Sequence, residues 1–436
     1  MHRCLIIADD LTGGADAGAQ FAKTGLSTLL ISIRDALRID FSKYTQRDVL
    51  VINTDSRGLS PEKAFSLVSN LSKDYDRELF PIIYKKVDST LRGNIGYEID
   101  AILKETNVSL GFMAPSFPEQ HRTVVGGIMM VGAKPLALTE TANDAVSPVK
   151  ESHVRKLLEQ QSRHRIGRVD LTHVASSVKG LREAVKEKQK SGDVIILFDA
   201  VQRSDLTHIA EVAFCMDEKP LLIGSAGLAQ EIAKKLFPSK LQKNSHLPRG
   251  ISKPFKHIFI MSGSASNVTN QQLKRVEQRR EIASFQLNKL LLMSGKENRR
   301  RQEENLSSVI GDALVRGNAI VKTCSERLLQ GSSHDLPIHL EITKSLGRIA
   351  HLTLKKLKID LADLALIIVG GDTAMSVLNF LGSEGVEIEG ELMEGIVRSH
   401  LIGGRWDGLN IVTKAGAFGR ENALEKTIEM LHKVRA

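Results

Sequence analysis

Short apolar runs alternate with amphipathic stretches along most of the chain. Leu5–Ala8, Thr28–Ile33, Val49–Asn53, Ile82–Val87 and Leu110–Ala114 are near-continuous apolar runs, the pattern of strands buried on both faces of a parallel sheet. Between them, Ala15–Lys23, closed by Gly25, and Pro61–Leu71 carry helical spacing. The rhythm continues through Val194–Phe198 and Leu221–Ile223. Thr123–Leu138 departs from it, being apolar, glycine-rich and short of helix signals, so a hairpin or irregular excursion is expected there. A polar stretch punctuated by Pro238, Pro248, Gly250 and Pro254 then marks a domain boundary. Beyond it, strands are predicted at His257–Met261, Ala319–Lys322, Leu364–Val369 and Leu409–Thr413, and helices at Gln271–Arg279, Glu341–Leu357 and Asn422–His432. The pattern predicts an α/β fold of two domains, each a mainly parallel sheet flanked by helices: residues 1–237, a linker at 238–256, and residues 257–436.

Composition narrows the class. Hydrophobic residues make up 42% and charged residues 25% of 436, a globular balance with enough apolar surface for two cores. Aromatics are only 4%, with the single Trp406, so a stacking platform for single-stranded nucleic acid is poorly supplied. The formal charge of +9 arises from interspersed residues of both signs, which favours small anionic ligands over a nucleic-acid footprint. The densest basic run, Arg299–Arg301, is followed by Gln302-Glu303-Glu304 and reads as a solvated helix face. Cys4, Cys215 and Cys324 are widely separated and odd in number, which fits a reducing compartment better than a disulfide framework or zinc site. Met1 leads directly into a strand-like run without a signal-peptide pattern, and no apolar run approaches a membrane span. A cytoplasmic protein with no membrane or nucleic-acid partner is expected, and a homodimer stays open.

In an open parallel sheet, ligands gather at the carboxyl ends of strands, and the polar clusters of this chain fall there. Asp9 and Asp10 follow the first strand, and Gly13-Gly14 then open a helix whose N–H groups suit an anion. A carboxylate in that place can accept or orient a substrate hydroxyl proton. Helix capping is the plainer alternative, although two adjacent acids are more charge than a cap needs. After the third strand, Arg57 in Asn53–Arg57 suits a bidentate carboxylate clamp, and an incidental surface ion pair competes evenly with that reading. Lys85, Lys86, Asp88, Ser89, Thr90, Arg92 and Asn94 then crowd one strand-to-helix connection. Cations for a carboxylate and Asp and Asn for hydroxyls suit a polyhydroxy acid. His121 in the following Pro115–Arg122 loop is a weak candidate alone, and the scattered histidines give no metal-ligand motif.

The second half carries glycine turns at strand ends: Ser262-Gly263-Ser264, Gly370-Gly371-Asp372-Thr373, and Lys414-Ala415-Gly416 running on to Gly419. Small residues allow close backbone approach to phosphate, and three such turns in one domain favour an oligophosphate site. Neither a GxxxxGK[ST] loop nor a GxGxxG dinucleotide fingerprint is present where expected, which disfavours P-loop NTPases and standard NAD-dependent dehydrogenases.

Taken together, IIADDLTGGADAG at 6–18, NTDSR at 53–57, KKVDSTLRGN at 85–94, APSFPEQ at 114–120, GSAGLA at 224–229, SGSAS at 262–266, VGGDT at 369–373 and KAGAFG at 414–419 resemble the four-carbon acid sugar kinase family over nearly the whole chain. The resemblance implies an N-terminal domain that binds the sugar acid and a C-terminal domain that binds ATP. Carried over by motif, Asp10, Arg57, Asp88, Ser89, Arg92 and Asn94 would face the acid, with Asp9 and Lys86 beside them. Ser264, Gly370, Gly371, Asp372, Thr373 and Gly416 would face the nucleotide, with Ser262, Lys414 and Gly419 completing that side. The expected reaction takes place in an interdomain cleft and moves the γ-phosphate of ATP, with Mg²⁺ bridging the phosphates, to a hydroxyl of D-threonate or D-erythronate. A 3-oxo-tetronate kinase is the alternative, and a non-catalytic sensor of acid and nucleotide is the rival of another class. Asp10, or else Asp88, is the expected catalytic base, and Lys414 the cation that stabilises the transferring group.

Overall fold

The computed structural model describes residues 3–33, 39–144, 146–236, 253–264, 266–323, 335–416 and 418–433. The chain divides into two units, Met1–His246 and Leu247–Ala436. Most of the expected linker, together with Cys324, lies outside the described residues. The last residues of that stretch, 253–256, make contacts with the second unit. Lys253 and Lys256 both pair with Asp363, at 2.5 and 2.7 Å, and the Phe255 N–H donates to Leu431 O.

The first unit is built on strands β1 (Cys4–Ala8), β2 (Thr28–Ser32), β3 (Val49–Asn53), β4 (Ile82–Lys86) and β5 (Gly111–Ala114). They are followed by β6 (Arg122–Val125), β7 (Ile128–Val131), β8 (Lys134–Pro135), β9 (Ile166–Val169), β10 (Ile195–Phe198) and β11 (Leu221–Gly224). Its main sheet runs in the order β2-β3-β1-β4-β11-β5-β10-β9, and every pairing is parallel. The apolar runs are strands because both faces are covered: all five residues of β1, of β3 and of β4 are buried. The excursion after β5 is an antiparallel meander, β6-β7-β8, a small sheet of its own.

The strand order creates a crevice. The chain leaves β1 toward β2 on one side of the sheet and leaves β4 toward β5 on the other, although β1 and β4 are neighbours. Connections that diverge in this way open a gap at the carboxyl ends of the two strands. The helix after β1 spans Leu11–Ala22 and begins earlier than the expected Ala15. Gly13 and Gly14 are part of that helix, not a turn before it. A methyl on Gly14 would lie 3.1–3.3 Å from Val51, Ala8 and Leu30, so the absent side chain lets the helix sit close on the sheet.

The second unit continues with β12 (His257–Ser262), β13 (Ile282–Leu287), β14 (Asn318–Thr323), β15 (Leu364–Val369), β16 (Gly385–Met393), β17 (Ile396–Ile402) and β18 (Asn410–Lys414). Its order is β13-β14-β12-β15-β18-β17-β16. The strands from β13 to β18 in that order are parallel, whereas β17 runs antiparallel to both its neighbours. Ile258, Ile260, Ile367, Val369, Val412, Ile428 and Leu431 are among the residues of its core. Here too the chain diverges from adjacent strands, β12 toward β13 and β15 toward β16, so a second crevice opens between β12 and β15. Among the described residues, no helix is long and apolar enough to cross a membrane.

Candidate functional site

In the first unit, Ala8 is in register with Asn53 of β3 and with Lys86 of β4, so the three following loops leave the sheet side by side. They bring Asp9, Asp10, Arg57, Asp88 and Arg92 into one network, with the buried Lys86 beside it. Arg57 forks onto Asp9, with Nε to Oδ2 at 2.8 Å and Nη2 to Oδ1 at 3.1 Å, and Nη2 also donates to Asp10 Oδ1 at 2.6 Å. Asp88 Oδ1 lies 3.9 Å from the same guanidinium. Arg92 forks onto Asp88 at 2.9 and 3.0 Å and reaches Asp144 at 3.1 Å. Asp88 also accepts from the hydroxyl and the N–H of Thr90. Leu91, between these partners, is held at φ 59°, a conformation that a bulky side chain adopts at a cost.

Asp10 has two duties. It caps the Leu11–Ala22 helix, accepting from the Gly13 N–H at 3.1 Å and from Thr12 Oγ1 at 2.7 Å, and it also takes Arg57. Capping is therefore real at Asp10, and the charge beyond a cap's need is Asp9, which is buried against Arg57. Gly13 leaves room beside them, because a methyl there would meet the Asp10 carboxylate and Lys86 Nζ and displace them.

Beneath this layer, Lys85 and Glu98 form an ion pair at 2.5 Å with both side chains 1% exposed, and Ser56 Oγ donates to Glu98 at 2.7 Å. Burial pushes the Glu98 carboxyl up, and Lys85 opposes that shift. At Asp9 and Asp88, burial also acts upward but is outweighed. Arg57 with the two lysines brings Asp9 down, and Arg92 with Arg57 holds Asp88 well below the usual carboxylate range. Lys86 is different from its neighbours. It is 4% exposed, its amine donates to Val87 O at 3.0 Å, and among the described residues it forms no ion pair. Ser89 is buried in the same loop. Asn94 is present, but its amide donates to Ser56 O and Leu59 O at 3.1 and 3.0 Å, which makes it a brace between loops.

Several members of this network escaped the sequence reading. Asp144 comes from a distant loop, which also sends Ser147 Oγ to Arg57 O. Arg122 starts the meander and senses Asp88 electrostatically, its own affinity for a proton lowered by burial. Glu98 lies one helical turn past Asn94, within a helix, where no strand-end rule points to it.

In the second unit, Ser262 is in register with Val369, and Val369 with Lys414, so three turns meet at adjacent strand ends. Two of their glycines lie close against neighbouring hydroxyls. A methyl on Gly263 would lie 2.6 Å from Thr373 Oγ1, and one on Gly416 2.7 Å from Ser264 Oγ. Gly370 holds φ 104° and sends its N–H to Lys414 O at 2.9 Å, and Gly371 begins the helix Gly371–Leu381. Gly419, at φ 85°, packs on Ala423. Ser262 Oγ is buried without a hydrogen-bond partner among the described residues. Asp372 is more exposed and pairs with His339 at 2.6 Å. Lys414 is fully buried, and its amine donates to Ala415 O at 2.9 Å and Gly416 O at 3.3 Å. Desolvation pulls its pKa down to about 7. The expected direct phosphate cation is thus turned into the interior of its own loop.

The two units match two described families. Residues 4–232 match the sugar-binding N-terminal domain, and residues 259–424 match the nucleotide-binding C-terminal domain. A D-threonate kinase of Salmonella typhimurium is 30% identical over 97% of this chain and 96% of its own length. A D-erythronate kinase of Heliobacterium modesticaldum is 29% identical over 99% of this chain and 97% of its own. A 3-oxo-tetronate kinase of Pseudomonas savastanoi pv. phaseolicola is 25% identical over 98% and 96%. Among solved structures, a Salmonella typhimurium LT2 protein superposes with a TM-score of 0.78 at 22% identity, covering 98% of this chain and 99% of its own, and so shares the fold. Haemophilus influenzae protein HI1011 does likewise, with a TM-score of 0.70 at 23% identity, covering 98% and 100%. With both halves matched and full-length kinase relatives at this identity, the chain belongs to the four-carbon acid sugar kinase family.

Proposed function

We propose that this kinase transfers the γ-phosphate of ATP to a hydroxyl of D-threonate or D-erythronate, with the acid held by the first unit and the nucleotide by the second. The observation that carries the acceptor class is the β1/β4 crevice, where two arginines and a buried lysine share a frame of carboxylates. Cations there suit a carboxylate ligand, and fixed carboxylates suit its hydroxyls. Full-length relatives named for D-threonate and D-erythronate support the four-carbon acid. Lys86, with no ion pair of its own among the described residues, is the group best placed to take the substrate carboxylate.

Phosphoryl transfer passes through a loose transition state, so catalysis is mainly positioning and charge stabilisation. Asp10 orients the acceptor hydroxyl and takes its proton. Asp88, engaged on both oxygens by Arg92 and Thr90 and held ionised, positions the acid. In the second unit, the N–H groups of the Gly370–Thr373 turn and the Ser262 and Ser264 hydroxyls receive phosphate oxygens. Lys414 acts from beneath, shaping the loop after β18 instead of touching the phosphates. Among the described residues, no cluster of three His, Cys, Asp or Glu fits a metal ion on its own. Mg²⁺ belongs to this reading as a companion of the nucleotide, where it would supply positive charge to the transferring phosphate. The free thiols of Cys4 and Cys215 accord with a reducing, cytoplasmic setting.

The test is a coupled ADP-release assay over D-threonate, D-erythronate, their L forms and 3-oxo-tetronates. Turnover on one of the first two supports the proposal. Turnover confined to a 3-oxo-tetronate replaces the acceptor, and binding of acid and nucleotide without ADP release leaves a sensor.

A further inference from the structure

The loop after β18 has its carbonyls drawn toward the helix Asn267–Glu277. Thr269 Oγ1 donates to Gly416 O at 2.6 Å. Gln272 Nε2 lies 3.1 Å from Phe418 O, 3.2 Å from Gly419 O and 2.9 Å from Arg420 O. Both side chains belong to fully buried residues on one face of that helix. Three carbonyls around one end of the Gln272 amide identify that end as the nitrogen, while its Oε1 is buried without a partner among the described residues. An unsatisfied buried oxygen is costly, so this glutamine serves the loop through its N–H side alone.

In a trans peptide unit, the C=O and N–H point in opposite directions. The Phe418, Gly419 and Arg420 carbonyls, held toward the helix, send the N–H groups of Gly419, Arg420 and Glu421 away from it. Successive N–H groups facing one way form an anion-binding concavity, whereas carbonyls facing the same way would repel phosphate. The loop also abuts the turn after β12, since a methyl on Gly416 would meet Ser264 Oγ.

We propose that Thr269 and Gln272 are positioning residues for the nucleotide's polyphosphate. They hold the carbonyls of Gly416 and Phe418–Arg420 inward, so that the loop presents donors to the β- and γ-phosphates. The inference rests on the second unit being the nucleotide site, and it adds two residues that touch no ligand themselves.

The experiment uses the full chain with Thr269→Val, which keeps the shape and removes the donor, Thr269→Ser, which restores the donor, and Gln272→Glu, which replaces donors by acceptors. Steady-state kinetics with the acceptor that supports wild-type turnover are joined to calorimetry with ADP and with AMP. Thr269→Val raises the KM for ATP about tenfold, as expected for a lost buried hydrogen bond that pins the loop, and leaves the acid's KM within about twofold. ADP affinity falls while AMP affinity holds, and Thr269→Ser returns both measures to near wild type. Gln272→Glu gives a larger loss of the same kind, and if that variant fails to fold, the Thr269 pair decides. Equal loss for AMP and ADP, equal rises in both KM values, or no rescue by serine overturns the proposal, because each is the mark of a merely structural residue. Wild-type protein that neither binds ADP nor turns over overturns the nucleotide reading and this inference with it. Wild-type binding matched by undiminished binding in Thr269→Val overturns this inference alone.

Discussion

In the first unit, the strands around the crevice run β2-β3-β1-β4; in the second they run β13-β14-β12-β15, the same second–third–first–fourth order. The topology places a gap at equivalent strand ends in both, yet the two gaps are furnished in opposite ways. The β1/β4 crevice is filled by interlocked charged side chains, with Asp9, Asp10, Asp88, Asp144, Arg57 and Arg92 in one network. The β12/β15 crevice is lined by backbone, glycine and hydroxyls, and the buried cation Lys414 is turned inward. The difference teaches that the fold chooses where a ligand sits and the loops choose its chemistry. On the proposed reading, side chains select a small acid by its groups, whereas backbone N–H groups receive a phosphate chain.

The largest expected effect separates the two carboxylates of the charged crevice. Asp10→Asn lowers kcat by about 10²–10⁴, the range for a lost general base, while Asp88→Asn acts first on the acid's KM. Single-turnover rates with bound substrates check this, and near-normal rates in both variants remove the assignment. Next is Arg57→Met, which leaves buried Asp9 without its forked partner. Breaking such a pair costs about 3–5 kcal/mol, and Arg57→Lys recovers only part of it because an ammonium cannot fork. The four tyrosines, Tyr44, Tyr75, Tyr84 and Tyr97, all lie in the first unit, and Trp406 lies in the second. Denaturation followed at the tyrosines should therefore shift to lower denaturant, and an unchanged midpoint removes the assignment. A third, smaller effect belongs to the backbone crevice. Gly370→Ala forces a side chain onto φ 104°, at a strain of about 1–2 kcal/mol. The KM for ATP should rise about tenfold, the same energy expressed as binding, with the acid's KM unchanged.

How far this contrast was legible in the sequence depends on which groups carry it. The strands were plain because burial on both faces makes near-continuous apolar runs; β3 and β15 begin and end where the pattern places them. The turns at Asp9, Arg57, Lys86 and Gly370 were legible because strand ends gather ligands. The helix at Leu11 was misjudged, since glycine signals a turn locally, and only the sheet beneath explains Gly14 in a helix. The antiparallel pair β16 and β17 went unread, because charged residues interrupt its apolar positions: Glu387, Glu389 and Glu391 in β16, and Arg398 and His400 in β17. Asp144, Glu98, Thr269 and Gln272 were hidden for one reason: each acts on a loop far away in sequence, and spacing alone does not reveal such partners. Lys414 was visible as a cation beside glycines, but the direction of its amine depends on the loop's carbonyls.

The smallest effect sharpens the comparison through pH. In the charged crevice, Asp9 and Asp88 have folded pKa values below their unfolded ones, so the stability they contribute is present above the ordinary carboxylate range and is lost as pH falls through the folded values. In the second unit, Lys414 is pulled from 10.5 down to about 7. Between those values the unfolded chain binds a proton that the folded one does not, so this lysine makes stability rise with pH from about 7 toward 10.5 and adds no slope below that window. Lys414→Met should flatten the pH dependence of the Trp406 transition across the window while leaving the acid-side loss at the tyrosines unchanged. If the slope at Trp406 survives the substitution, the buried amine is not its source. If the acid-side loss moves with it, the two crevices do not carry separate electrostatics.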